Sequence, residues 1–92
     1  MTFSVNSAQL AELQGLAMHV AGLNYEKERH GENWPELVKN RDNVSYCLDA
    51  CDRAGVPFWV QNIVLAWASD WRSYANEYTE TALQRRGVSV NA

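Results

Sequence analysis

Apolar and polar positions follow a helical rhythm through most of this chain, most strongly from Pro57 to Arg86. There Val60, Val64, Trp67, Trp71, Tyr74, Tyr78 and Ala82 recur at steps of four and three, the spacing that keeps side chains on one face of a helix. Pro57 suits a first helical turn, where its missing N–H costs nothing. No further Pro or Gly interrupts the run until Gly87, which can close a helix in the left-handed conformation. Arg85 and Arg86 stand in the last turn, where positive charge complements the helix dipole. The pattern predicts one helix over 57–86, about 45 Å long at roughly 1.5 Å per residue. Its first part, 57–69, carries no charge, and Phe58, Trp59, Ile63 and Leu65 add apolar surface off the stripe. Such a segment must be covered on several sides. Gln61 and Asn62 interrupt it, and it is too short to cross a bilayer.

Two shorter rhythms precede it. Asn6 followed by Gln9 is a capping box, with Val5 and Leu10 at the spacing of a hydrophobic staple. A first helix is therefore expected from Ser7 to about Glu28, burying Leu10, Leu13, Ala17 and Val20, with a kink or break at Gly22 as an open alternative. Residues 26–32 are charged, mixed in sign and closed by Gly31, which reads as a solvated turn. A second helix is expected over 34–54, with Asn33 as cap and Pro35 in the first turn. Leu37, Val44, Leu48 and Cys51 form its stripe. Gly55 should end it, with Val56 packing back on Cys51.

Three helices with short links fold most simply as an antiparallel bundle, so the fold class is all-α, a three-helix bundle (7–28, 34–54, 57–86) around a long aromatic third helix. Residues 1–5 and 88–92 read as a lead-in and a frayed tail. Ninety-two residues make a single domain.

Composition narrows the function more by exclusion than by motif. The net charge of −3 and pI near 5.2 argue against a surface built for nucleic acid. The first residues lack the basic region and unbroken apolar run of a signal peptide, which places the chain in a cytoplasm, its own or a host's. Cys47 and Cys51 lie at i, i+4, a poor geometry for a disulfide within a helix, and read as reduced core residues. A zinc site would have to recruit His19 and His30 from elsewhere. No phosphate loop, nucleophile elbow or paired-metal signature is present, so no cofactor is expected and an enzyme is the least favoured class.

The charge is segregated. Residues 1–25 contain one charged side chain, Glu12, and residues 54–69 none. In the bundle these stretches meet at one end, where Phe3, Val56, Phe58, Trp59 and Leu65 exceed what a small core needs to enclose. Leftover apolar surface marks a contact site, and aromatic residues dominate interface energies. Trp59 is the first candidate anchor and Phe58 the second, because neighbours about 100° apart cannot both share Val60's inward direction. The outer face around Arg72 and Glu77 is the next surface. The favoured function is stoichiometric binding of another protein, a second copy included, in the manner of small inhibitors carried by phages and plasmids such as anti-defence (anti-CRISPR-like) factors. The alternative is a nucleic-acid accessory role through Arg29, Lys39, Arg41, Arg72, Arg85 and Arg86 at the mixed basic end.

Overall fold

The computed structural model describes residues 2–91. The order is β1 (Ser4–Asn6), α1 (Ser7–His30), α2 (Leu37–Arg53), α3 (Phe58–Ala68), α4 (Trp71–Asn76), α5 (Thr79–Arg85) and β2 (Ser89–Asn91). The chain is mostly helical, with one small parallel sheet of β1 and β2. Among the described residues no helix is long and apolar enough to cross a membrane.

α1 begins where its capping box directs. Asn6 Oδ1 accepts from the Gln9 N–H at 2.8 Å, and Gln9 Oε1 accepts from the Asn6 N–H at 3.0 Å. The helix continues unbroken through Gly22 and stops at Gly31, which takes a positive φ of 77°. α2 starts later than its sequence suggests. Asn33 does not cap it; turns lead through residues 31–36, with the Trp34 N–H donating to the Gly31 carbonyl and the Leu37 N–H to Trp34. Its end closes as expected, the Val56 N–H donating to the Cys51 carbonyl and the Gly55 N–H to Asp52. Gln61, buried in α3, ties this corner by donating to Asp52 Oδ1 at 2.7 Å and to the Val56 carbonyl at 3.0 Å.

The long third helix is the main correction. It is divided into three, at Ser69–Asp70 and at Glu77–Tyr78. Asp70 leaves the helical region, with ψ of 101°, and its carboxylate accepts from the Arg72 N–H and the Ser73 hydroxyl. Local bonds of this kind compete with the helical ladder, and hydrophobic periodicity does not register them. Glu77 and Tyr78 are both extended, and Glu77 is held by the Arg85 guanidinium. The element at the centre is therefore α1, which packs against α2, α3, α4 and α5, whereas α2 leans chiefly on α1.

The ends, read as a lead-in and frayed tail, pair with each other. Val5 and Val90 stand opposite in the ladder, and Val5 is fully buried. A second turn motif at Gly87, with the Val88 N–H on the Leu83 carbonyl, delivers β2 from α5. The core joins Val5, Leu13, Leu16, Val60, Val64, Trp67, Leu83 and Val88.

Candidate protein-docking face

The expected apolar end is largely used up inside the fold. Val56 is buried, and Phe3, Trp59 and Leu65 are half-buried against the core. Phe58 alone of the five projects outward, 72% exposed. By exposure the order of the two aromatic candidates is reversed, Trp59 lying half-buried against the core and Phe58 standing out.

The basic set is scattered and mostly occupied. Arg29 pairs with Glu26 at 3.8 Å, Arg41 with Glu32 at 3.9 Å, Arg72 with Glu28 at 2.8 Å and Arg85 with Glu77. Arg86 donates to the Ala82 carbonyl, and Lys39 is exposed with no carboxylate partner among the described residues. A phosphate would have to displace an acid at four of these six positions.

A different surface emerges where α4 lies beside α1. The two run antiparallel: the start of α4 meets the end of α1, and the turn after α4 meets Gln14. At the first point the Trp71 ring touches Tyr25 edge-on, centroids 5.0 Å apart. At the second, Gln14 lines an open cleft of about 540 Å³ with Tyr74, Ala75, Asn76 and Tyr78. Along α1, Gln14, Met18 and Tyr25 fall within about 40° of one another at 100° per residue. Met18 therefore sits between the two contacts. Met18 is 53% exposed and Tyr78 84%. Gln14, Met18, Tyr25, Trp71 and Tyr78 thus lie along the seam of the two helices, with Glu77 in the cleft wall and the Arg29 guanidinium 5.5 Å from the Tyr25 ring centroid.

The breaks in the third helix create this arrangement. In an unbroken helix Trp71, Tyr74 and Tyr78 would continue the buried row of Trp67. With the chain turned at Asp70 and again at Tyr78, Tyr74 still packs on Trp67, at 5.7 Å between centroids. Trp71 is left half-buried and Tyr78 stands out.

Charges rim the seam and satisfy each other. Glu28 accepts from Trp71 Nε1 at 2.8 Å and from both terminal nitrogens of Arg72. The Arg72 guanidinium also lies 4.2 Å from the Trp71 ring centroid, close enough for cation–π attraction. The hydrogen bonds from Arg72 and then Trp71 hold the Glu28 carboxyl below its ordinary value of 4.5. Arg85 does the same for Glu77. Trp67 Nε1 is buried with no hydrogen-bond partner at normal geometry, though it lies near enough to Glu77 to add slightly to that lowering.

The cysteines offer no competing site. Cys51 is buried, and burial, with Glu12 nearby, pushes its thiol up to about 11; Cys47 moves the same way for the same reasons. His19 Nδ1 is 3.6 Å from Cys47 Sγ but 2.9 Å from the Gly15 carbonyl. A carbonyl only accepts, so in the tautomer that bonds Gly15 the proton sits on Nδ1, which then cannot serve as a base toward the thiol. Among the described residues no group of three or more His, Cys, Asp or Glu is placed to hold a metal.

Gln14, Met18 and Tyr25 were missed by sequence reasoning. Their signal was the near absence of charge over residues 1–25, which pointed instead to the end of the bundle. No protein family, curated protein or solved structure matches the chain.

Proposed function

We propose that this chain is a non-enzymatic binding module that engages another protein stoichiometrically through the α1–α4 face, as an inhibitor or accessory factor does. The observation that carries the reading is the placement of exposed Met18, Tyr25 and Tyr78 with half-buried Trp71 along the α1–α4 seam, flanked by internally paired charges. Aromatic residues, Met and Arg are enriched at protein interfaces, and anchors of this kind work best when surrounded by groups that exclude water. Carboxylates already hold four of the six basic side chains, which speaks against the nucleic-acid reading.

The test is a photo-reactive phenylalanine analogue placed at Tyr78 or Met18, with exposed Tyr46 on α2 as control. In the source cell the first two positions should cross-link to one protein at one-to-one stoichiometry, and position 46 should not. Adducts to nucleic acid, or equal labelling at all three positions, would refute the reading.

A further inference from the structure

A parallel strand pair is normally found inside a larger sheet, and an isolated pair of strands is marginal in water. Here, among the described residues, the parallel pair of β1 and β2 stands with two outer edges. The Ser89 N–H donates to the Phe3 carbonyl at 3.2 Å, which sets the phase of the ladder. Alternate residues of each parallel strand bond across, so Ser89 and Asn91 face β1. The N–H and C=O of Val90 then point to the free side. On β1 the outward residues are Ser4 and Asn6, and the Asn6 N–H is already taken by Gln9.

Beside β2 runs an open groove of about 470 Å³, lined by Gln84, Gly87, Val88, Ser89, Val90 and Asn91. Native edge strands are commonly guarded by Lys, Pro, inward charges or bulges. Residues 87–91, Gly-Val-Ser-Val-Asn, contain no charge and no Pro.

We propose that this edge pairs with the same edge of a second copy, antiparallel about a two-fold axis at Val90, to give a four-stranded sheet β1–β2–β2–β1. One residue presenting both N–H and C=O is the minimum such a join needs, because Val90 exchanges both bonds with its twin. A parallel partner strand would have to supply two separate residues. The side chains agree. Ser4-Val5-Asn6 and Ser89-Val90-Asn91 are the same tripeptide, and across the axis Ser89 stands opposite Asn91 of the second copy. Uncharged groups therefore meet at the join despite the net charge of −3. On the other face the half-buried Val90 gains its twin as a β-branched cross-strand neighbour.

The experiment is sedimentation of the full chain up to about 1 mM, the weak limit of specific association, beside Val90→Pro. Proline removes the outward N–H, at the cost of a fixed φ and of the packing of Val90 on the core, while leaving the bonds to β1, and is tolerated on edge strands. Wild type should reach a dimer and Val90→Pro should stay a monomer with unchanged circular dichroism. As a second readout, Ser89→Cys mixed with Asn91→Cys should form a disulfide-linked pair well above either variant alone. A wild type that stays monomeric, a dimer unaffected by Val90→Pro, or no preference for the mixture overturns the proposal. Should Val90→Pro unfold, the cysteine mixture decides. The join shares no residue with the α1–α4 face, so Tyr78→Ala must still dimerise and either proposal can fail alone.

Discussion

Trp71 meets Tyr25 edge-on, ring centroids 5.0 Å apart and planes at 88°. A residue expected to complete the core instead braces α4 against the surface of α1. Trp67, one step earlier in the same row, is 5% exposed and part of the core. The two tryptophans should therefore respond differently to truncation. Trp67→Ala should cost about 3–5 kcal/mol, a large share of a small domain's stability. Trp71→Ala should cost clearly less in thermal unfolding. Equal losses would mean that the row is continuous and the break at Asp70 is misplaced.

The break itself is testable at Asp70. Its carboxylate caps α4 through the Arg72 N–H, so Asp70→Ala should lose about 1 kcal/mol. Asp70→Asn, which keeps an acceptor, should recover most of it. Two variants of equal stability would show that the cap contributes nothing.

How much of this was legible beforehand follows from the range of the interactions. The Asn6–Gln9 box and the Gly55 turn are written in neighbouring residues, and both formed as read. The breaks at Asp70 and Glu77 were hidden because Val60 to Ala82 keeps its apolar spacing across them, while the cap and the Arg85 contact that favour the breaks are polar. The sheet was hidden for another reason. Its strands are three residues each, 85 positions apart, and nothing local in Ser-Val-Asn announces a partner. The same long-range contacts half-bury Trp59 against the core and leave Met18 and Tyr25 exposed on α1.

Acid should weaken the rim. The folded-state pKa of Glu28 is lowered, first by the Arg72 hydrogen bond and then by Trp71, and that of Glu77 by Arg85. A depressed carboxyl pKa contributes stability above its unfolded value and loses it as the pH falls through the folded value. The stability gap between wild type and Glu28→Gln should hold from neutral pH to about the ordinary value of 4.5 and close below it. A gap independent of pH would show that the ion pair is not the cause.

The thiols should be sluggish. With Cys51 raised to about 11 and Cys47 also raised, little thiolate exists at neutral pH. A thiol reagent should label half-buried Cys47 before Cys51, and both quickly only after unfolding. Rapid labelling of Cys51 in the native state would contradict its burial.

Titration calorimetry against the partner cross-linked from position 78 probes the α1–α4 face itself. Tyr78 is 84% exposed and outside the core, so Tyr78→Ala should leave the thermal midpoint unchanged. Its affinity for that partner should fall by at least about tenfold, or roughly 1.4 kcal/mol. Phe58→Ala, at the apolar end, should bind like wild type. Wild-type affinity in Tyr78→Ala together with loss of binding in Phe58→Ala would place the contact at the apolar end of the molecule and not on the α1–α4 face.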